Sequence, residues 1–339
     1  MSVLSARDLR VWYGTSRGPV RAVDGISLEI NAGETLGLVG ESGCGKSTLG
    51  RSILGLLPRG AVIDGELLYD GQNLTELSQR DFRRLRGPEI GLIFQEPMTR
   101  LNPLMRISDH FKETLEAHES SLTDEEIRRR SLDALGGMGI PPTRFRQYPH
   151  EFSGGMRQRI MIALTLVLRP ELLIADEPTT ALDVLVEAQI LQILGDLKKN
   201  ADTALLLITH NLGIVAESCE RVAVMYAGQI VEEGAARTVF SQPAHPYTSE
   251  LLRSIISLKT TELHYIPGAP PDLADPPKAC RFHPRCPYAM QVCAAKDPIE
   301  VRAETGQRVL CWLHGPEEEI PPGGKAPLER EAIAVAEEA

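Results

Sequence analysis

Four short and mainly apolar runs recur along the chain, and each is followed by glycine or by polar residues. They lie at residues 34–39, 90–94, 172–176 and 205–208. Short apolar runs without alternation are typical of strands that are buried on both faces, as in parallel sheets. The pattern therefore predicts a parallel sheet, with the candidate ligand-binding residues at the carboxyl ends of its strands.

In residues 3–30, apolar and polar positions alternate, which is typical of antiparallel strands. Residues 63–71 form a second segment of this kind. The second segment reads as a hairpin, with an Asp-Gly turn at both ends. Residues 49–57 and 107–135 have helical periodicity. Composition changes near Leu258, after which proline is frequent and long periodic segments are absent. The sequence thus predicts an α/β part followed by a shorter extension.

A glycine-rich segment follows the first apolar run and fits G-x-x-x-x-G-K-[ST], the pattern of a phosphate-binding loop. Its residues are Gly40, Glu41, Ser42, Gly43, Cys44, Gly45, Lys46, Ser47 and Thr48. The glycines allow successive backbone N–H groups to face phosphate oxygens, and the following helix adds its positive dipole end. Lys46 is placed to reach the β- and γ-phosphates, and Ser47 to hold Mg²⁺. The plain alternative is a chance glycine turn before a helix.

Polar residues also follow the third and fourth apolar runs. Asp176 suits water-mediated binding of Mg²⁺, and Glu177 suits the orientation and deprotonation of an attacking water. His210 is placed to contact a γ-phosphate. A solvated acidic turn is the alternative for the two carboxylates, and a lone histidine is more often structural.

An aromatic pair and a second glycine-containing helix start are further candidates. The ring of Tyr13, or that of its neighbour Trp12, can stack on a purine or pack in the core of a sheet. Ser153, Gly154 and Gly155 precede an apolar helix, whose start suits an anion. A simply capped helix would have the same sequence pattern.

The charge balance and the length of the apolar runs exclude some functional classes. Lys and Arg total 36 against 46 Asp and Glu, and the net charge of −10 argues against a dedicated nucleic-acid binder. The apolar runs are too short to span a bilayer, and the N-terminus has no signal-like segment. We therefore expect a soluble, cytoplasmic chain that meets a membrane only through partners.

Taken in order, these motifs resemble those of the nucleotide-binding subunit of an ATP-binding-cassette (ABC) transporter. The resemblance covers residues 3–258 and includes the segment 153–158, just upstream of the strand that ends in Asp176 and Glu177. It implies an α/β P-loop NTPase core with an antiparallel β subdomain and a helical subdomain at about 97–168. ATP and Mg²⁺ are the implied substrate and cofactor.

The resemblance also implies a role for each matched residue. Tyr13 would stack on adenine, and Gln95 would contact Mg²⁺ or water and sense the membrane subunits. Residues 153–155 would close on ATP that is held by a second subunit. Asp183 would lie at the dimer interface, and His210 would be the switch histidine of the catalytic site.

Further segments narrow the resemblance to the ATPases of oligopeptide and dipeptide importers. They are residues 40–43, 94–98, 101–103, 181–184 and 245–248. The nucleotide-binding domain would then span residues 1–258, and residues 259–339 would form the C-terminal extension of that subfamily, with a mobile tail.

Four cysteines lie in this extension with the spacing C-x₅-C-x₆-C-x₁₇-C, namely Cys280, Cys286, Cys293 and Cys311. Zinc sites usually pair cysteines at a closer spacing, whereas an iron–sulfur cluster accepts more varied spacing. Some members of the subfamily that this chain resembles carry such a cluster, so we predict a [4Fe–4S] cluster here. Zinc is the alternative metal. The plainest alternative is four reduced cysteines without a metal. Four basic residues would offset the thiolate charge, namely Lys278, Arg281, Arg285 and Lys296.

The implied function is ATP hydrolysis that drives peptide import from the cytoplasmic face of the inner membrane. The chain has one set of motifs, so it would pair with a related, non-identical ATPase. Two permeases and an extracytoplasmic binding protein would complete the system. Import of nickel, glutathione or another small solute is an alternative. A non-transport ABC ATPase that acts on nucleic acid or ribosomes is the rival class, but such proteins often carry a second cassette or a coiled-coil insertion.

Overall fold

The computed structural model describes residues 2–94, 101–179, 184–201, 203–254 and 264–328. Its strands are β1 (Ser2–Thr15), β2 (Gly18–Asn31), β3 (Thr35–Val39), β4 (Ala61–Tyr69), β5 (Gln72–Asn73), β6 (Ile90–Ile93), β7 (Leu172–Asp176), β8 (Ala204–Ile208), β9 (Arg221–Tyr226), β10 (Gln229–Ala235), β11 (Glu300–Arg302) and β12 (Arg308–Leu310). Its α-helices are α1 (Lys46–Ile53), α2 (Gln79–Leu85), α3 (Ile107–His118), α4 (Asp124–Gly137), α5 (Gly154–Leu166), α6 (Val184–Ala201), α7 (Leu212–Ser218), α8 (Ala236–Ser241), α9 (Pro246–Arg253) and α10 (Gln291–Ala295). Within the described ranges, no helix has the length and apolar character needed to cross a bilayer.

The central sheet has eight strands in the order β11-β12-β10-β9-β3-β8-β7-β6. Neighbouring strands from β9 to β6 run parallel. The strands β3, β7 and β8 are buried along their whole length, as their apolar sequences require. Because parallel strands end at one edge of the sheet, the residues that follow β3, β7 and β8 lie side by side. The predicted α/β fold class is confirmed.

A second, antiparallel sheet has the strand order β2-β1-β4-β5. Its apolar face joins the core of the central sheet, where Leu9 and Ile26 cluster with Leu49 of α1 and Leu206 of β8. This sheet is the antiparallel subdomain that the alternating pattern predicts.

One predicted turn of this sheet is wrong. Asp70 and Gly71 do connect β4 to β5, but Asp64 and Gly65 lie inside β4. Gly65 has a φ of +86°, and a Cβ added there would lie 2.3 Å from the backbone oxygen of Asp8. This glycine therefore marks a close approach of β4 to an irregular part of β1, not a chain reversal.

The helices α3, α4 and α5 bury Phe111, Leu135 and Ile160 in an apolar cluster that also contains Leu173 and Leu207 of the central sheet. A capping box starts α4: the Thr123 hydroxyl accepts a hydrogen bond from the Glu126 N–H at 3.3 Å, and the Glu126 carboxylate accepts one from the Thr123 N–H at 3.1 Å. These helices lie within the range predicted for the helical subdomain, whose exact boundaries stay a prediction.

The chain beyond residue 258 shares the central sheet. Strands β11 and β12 extend that sheet beside β10. The Phe282 ring packs against Tyr226 and Tyr247, with ring centroids 5.2 and 5.4 Å away. The extension is therefore packed against the rest of the protein by both backbone pairing and an aromatic cluster. The division of the chain at residue 258 stays a prediction.

His245 is the buried N-cap of α9, and its Nδ1 accepts a hydrogen bond from the Tyr247 N–H at 3.0 Å. Burial, with a smaller contribution from His314, lowers the pKa of His245 to about 3. The folded protein therefore holds this ring neutral, while in the unfolded chain the ring takes a proton below about pH 6.5.

We expect His245 to make stability fall as pH decreases. Between the unfolded and folded pKa values the unfolded state binds more protons, so stability drops below about pH 6.5, and the loss near pH 5 is about 2 kcal/mol. A His245→Asn variant keeps a capping acceptor but no titrating ring, so its stability should vary less over this range. Urea unfolding of both proteins at about pH 6.5 and at about pH 5 measures how much stability each loses. Parallel pH profiles would contradict the assignment.

Candidate functional site

The phosphate-binding loop connects β3 to α1 and has a backbone that glycine alone fits. Gly40, Gly43 and Gly45 have φ values of +153°, +79° and +114°. A Cβ added at Gly40 would lie 2.1 Å from the Met225 backbone oxygen, and one at Gly45 would lie 1.9 Å from that of Ala22. The loop is thus wedged between two strands, with its backbone wrapped as the sequence pattern predicts.

Lys46 is buried and lies across this loop. Its Nζ donates to the carbonyl oxygens of Gly40 at 2.8 Å and of Glu41 at 2.9 Å. The Cys44 sulfur lies 3.7 Å from the same Nζ. Burial raises the pKa of the Cys44 thiol, although Lys46 opposes the shift. Cys44 is therefore a neutral thiol, and Lys46 is the cation of the loop.

A cavity of about 580 Å³ opens on the loop. Its lining consists of Tyr13, Val20, Ala22, Ser42, Gly43, Gly45, Lys46, Ser47, Thr48, Glu177, His210 and Leu273. We call the part beside Lys46 and Ser47 the phosphate end, the part beside Tyr13 and Leu273 the apolar end, and the part beside Glu177 and His210 the far end. These three sets of groups suit the phosphates, the base and the attacking water of a nucleoside triphosphate under hydrolysis.

Ser47 and Asp176 meet at the phosphate end of the cavity. The Ser47 hydroxyl donates a 2.9 Å hydrogen bond to the Asp176 carboxylate, which is 4% exposed. Burial raises the pKa of Asp176, and the bond from Ser47 opposes that shift. Mg²⁺ is usually held by one or two carboxylates together with phosphate oxygens and water. One hydroxyl and one carboxylate beside a phosphate loop fit that ion.

Glu177 and His210 face each other at the far end. The His210 Nδ1 lies 2.7 and 2.9 Å from the two carboxylate oxygens of Glu177. Glu177 has a φ of +51°, a left-handed conformation that is strained for a residue with a side chain. Its N–H donates to the Ile208 carbonyl at 2.9 Å, which fixes this backbone against β8. The carboxylate is thereby held at the wall of the cavity.

The structure separates the two aromatic candidates. Tyr13 lines the cavity, and its hydroxyl bonds to the Thr48 hydroxyl at 3.1 Å. The Trp12 indole N–H instead donates to Asp24 at 3.1 Å, and its ring lies under the Arg21 guanidinium at 5.5 Å. Tyr13 is the better placed of the two to stack on a base.

The segment 153–155 lies at the exposed start of α5, outside the lining of its own chain's cavity. Ser153 caps the helix by accepting a bond from the Met156 N–H at 3.4 Å. Further along α5, the Gln158 amide donates to the Pro178 carbonyl, directly after Glu177. The helix is thus tied to the segment that follows β7, while its own start does not line the cavity. Gln95 and Asp183 lie outside the described residues.

The four cysteines of the extension are brought together by the fold. Each is buried, with 7–9% of its surface exposed, and the Cys280 N–H donates to the Cys293 carbonyl at 3.0 Å. Burial raises the pKa of Cys280 to about 12 and also raises that of Cys311, and the other thiols of the group contribute to both shifts. In the described ranges, no set of three or more His, Cys, Asp or Glu side chains has the arrangement that holds a metal ion.

Three of the four basic residues near these cysteines form ion pairs, and their role in offsetting thiolate charge stays a prediction. Arg281 forms an ion pair with Asp24. Arg285 pairs with Glu41. Lys296 pairs with Glu319 and lies 5.2 Å from the centre of the Trp312 ring. These cations have carboxylate partners already, and two of those partners belong to the other part of the chain.

Sequence reasoning missed two residues of the extension that reach the cavity region. Leu273 lines the apolar end, where its carbonyl accepts a 2.9 Å bond from the Arg21 N–H. Arg285 binds Glu41 of the phosphate loop. Both lie in irregular, proline-rich chain far from the loop in sequence, so no local pattern identifies them.

Two protein families match the chain. The family described as "ABC transporter" matches residues 23–180, and the one described as "Oligopeptide/dipeptide transporter, C-terminal region" matches residues 231–293. The second match spans the junction between the core and the extension.

Relatives from bacteria are similar along nearly the whole chain. The dipeptide transport ATP-binding protein DppD of Bacillus subtilis is 46% identical over 317 residues, which cover 92% of this chain and 94% of the relative. The oligopeptide transport ATP-binding protein OppD of Salmonella typhimurium is 47% identical over 302 residues, 88% of this chain and 90% of the relative. Among solved structures, the dimeric ATP-binding cassette MJ0796 bound to ADP and Pi superimposes with a TM-score of 0.63 at 26% identity, over 69% of this chain and 99% of that one.

Proposed function

The chain belongs to the ATP-binding proteins of ABC transporters, in the oligopeptide/dipeptide family, and from this premise we propose that it hydrolyses ATP to drive peptide import. The observation that carries the proposal is the similarity to dipeptide and oligopeptide transport ATP-binding proteins, which runs through both the nucleotide cavity and the C-terminal extension.

The geometry of the cavity supports a role in ATP binding or hydrolysis for the residues in each part of its lining. Tyr13 stacks on the base, and Lys46 with the loop N–H groups binds the phosphates. Ser47 and Asp176 hold Mg²⁺, which offsets charge on the phosphate oxygens. Glu177 orients the attacking water and takes its proton, and His210 holds the Glu177 carboxylate in place.

A complete site requires a second subunit. Ser153 is exposed, Gly154 and Gly155 are half-buried, and the three residues do not line the cavity of their own chain, so this helix start suits the γ-phosphate of a neighbour's ATP. ATP binding therefore draws two subunits together, and hydrolysis releases them. By resemblance, Asp183 is assigned to this interface and Gln95 to the contact with Mg²⁺. The second subunit is a related, non-identical ATPase.

The remaining partners follow from the family. ATP hydrolysis in this chain acts on two integral membrane permeases, which receive peptides from an extracytoplasmic binding protein. The chain thus works as a peripheral protein at the cytoplasmic face of the inner membrane. No nucleic acid takes part.

We expect the full-length chain, isolated in mild detergent from its own cells, to copurify with two integral membrane proteins. A Lys112→Ala variant, altered on an exposed face of α3, serves as the matched control for handling and expression. Identification of the copurified chains by mass spectrometry decides the class. Ribosomal proteins or nucleic acid in place of membrane subunits would support the rival class.

The four buried cysteines are proposed to hold a [4Fe–4S] cluster. No group of the described side chains has the arrangement that holds a metal ion, so the support for a cluster comes from the four thiol donors and their spacing in the sequence. A [4Fe–4S] core is larger than a single zinc ion and takes four thiolates at wider spacing. Four cysteines in one buried group fit its donor set, with zinc as the alternative.

We expect protein prepared without oxygen to be brown, with iron and acid-labile sulfide present at about four each per chain. A Cys293→Ser variant should lose the colour and the iron. A Cys219→Ser variant, altered outside the extension, should keep both. Colourless protein with one zinc per chain would decide for zinc, and metal-free protein would contradict both assignments.

A further inference from the structure

An ion pair joins the cysteine-containing extension to the phosphate-binding loop. The Arg285 guanidinium donates two hydrogen bonds to the Glu41 carboxylate, from Nη1 at 2.7 Å and from Nη2 at 3.0 Å. The two residues are 244 positions apart in sequence. Only 6% of the Arg285 side chain and 22% of the Glu41 side chain are exposed. A two-pronged, poorly solvated contact of this kind has a fixed geometry and is weakly screened by salt.

Arg285 is itself held by further contacts. Its Nε donates to the Pro267 carbonyl at 2.9 Å, and Nη2 also reaches the Ile266 carbonyl at 3.3 Å. Nη1 lies 3.3 Å from the hydroxyl of Tyr226, the last residue of β9. The guanidinium therefore presents a rigid fork to Glu41, since each of its three nitrogens has a partner.

Glu41 connects this fork to the group that binds phosphate. Its N–H donates to the Tyr247 hydroxyl at 2.8 Å, and its carbonyl accepts from Lys46 Nζ at 2.9 Å. The same residue thus has its side chain fixed by Arg285, its amide by α9 and its carbonyl by the loop lysine. A shift of Glu41 would move one of the two carbonyl groups that position Lys46.

The charge of Glu41 matters as much as its position. Glu41 is the second residue of a loop that binds a polyphosphate. Its carboxylate and the phosphates are both negative, and like charges in a partly buried site repel strongly. Neither Glu41 nor Arg285 belongs to the cavity lining, so Arg285 neutralises this charge from behind the loop and leaves the cavity open. The extension therefore offsets the repulsion that an acidic residue at this point of the loop would exert on phosphate.

We infer that Arg285 is a positioning residue for ATP: it neutralises Glu41 and fixes the part of the phosphate loop that holds Lys46. The inference rests on the proposed nucleotide site. It makes the cysteine-containing extension part of the machinery that binds ATP, since Arg285 directly precedes Cys286 in the chain.

The test compares ATP affinity among variants of the full-length protein, measured with a fluorescent ATP analogue and Mg²⁺. Arg285→Met leaves Glu41 charged and unpaired, so affinity should fall about 10-fold or more. The double variant Arg285→Met/Glu41→Gln removes the repulsive charge, so affinity should return to within about 3-fold of wild type. In steady-state assays the single variant should raise KM for ATP far more than it lowers kcat, because Glu177 is untouched.

Arg281→Met is the matched control. Arg281 is also buried, at 7% exposed, and lies in the same cysteine-containing segment, but it binds Asp24 and the Ala227 carbonyl instead of the phosphate loop. It should change ATP affinity by less than about 2-fold even where it lowers the melting temperature. If Arg285→Met does not fold, Arg285→Lys, which keeps the charge and loses the fork, should weaken ATP by about 3-fold.

The outcomes separate this inference from the proposed function. Equal affinities for wild type and Lys46→Ala would overturn the nucleotide site itself. A clear loss in Lys46→Ala, together with wild-type affinity in the folded Arg285 variant, would overturn the inference alone. A loss in Arg285→Met that Glu41→Gln does not repair would also overturn it, because the arginine would then act only through stability.

Discussion

A Glu177→Gln variant is expected to bind ATP as wild type does and to hydrolyse it about 10²–10⁴ times more slowly. Glutamine keeps the size of the side chain and a bond to His210, but it cannot accept a proton from water. The contact between His210 Nδ1 and the Glu177 carboxylate, at 2.7 Å, places this base at the end of the cavity. Phosphate release by the assembled complex and equilibrium ATP binding measure the two properties separately.

The matched control for this substitution is Glu171→Gln. Glu171 directly precedes β7, at the opposite end from Glu177, and its carboxylate lies 3.4 Å from the Tyr69 hydroxyl. It flanks the same strand but does not line the cavity, so turnover should stay close to that of wild type. Near-normal turnover in Glu177→Gln would mean that another group takes the proton, or that the partner subunit's site alone is active.

A Lys46→Ala variant is expected to lose ATP affinity by about 100-fold or more, because it removes a charged donor from the phosphates. Lys46 is buried, with 7% of its surface exposed, and donates to two loop carbonyls. The substitution therefore also removes two bonds that shape the loop.

For this reason calorimetric ATP titration of Lys46→Ala needs a stability measurement beside it. Lys112→Ala removes an exposed lysine that pairs with Asp124, and should leave both ATP affinity and melting temperature unchanged. Unchanged ATP affinity in a folded Lys46→Ala protein would contradict the assignment of the loop. A lower melting temperature with lost affinity agrees with it.

The core of the site is predictable from sequence because its residues follow buried parallel strands. The apolar runs that become β3, β7 and β8 end at one edge of the sheet, so the loop, Asp176 and His210 must meet there. Local sequence also sets the loop itself, since its glycines meet backbone oxygens at distances that exclude a Cβ.

Contacts between distant segments are not predictable in this way. Arg285 looks like one of several cations beside cysteines, and only the packing of the extension on the core brings it to Glu41. Leu273 reaches the cavity through a backbone bond to Arg21, which carries no side-chain signal. Gly65 is misread as a turn because Asp-Gly marks both turns and bulges, and only the approach of Asp8 distinguishes them.

Peptide uptake tests the central claim most directly. Cells that depend on this chain should take up a labelled di- or oligopeptide with wild-type protein and with Glu171→Gln. They should fail to do so with Glu177→Gln, although that protein is present at the same level and bound to the same membrane subunits. ATP hydrolysis in the purified complex should show the same dependence on Glu177. Uptake at the wild-type rate in cells that carry only Glu177→Gln would contradict the account.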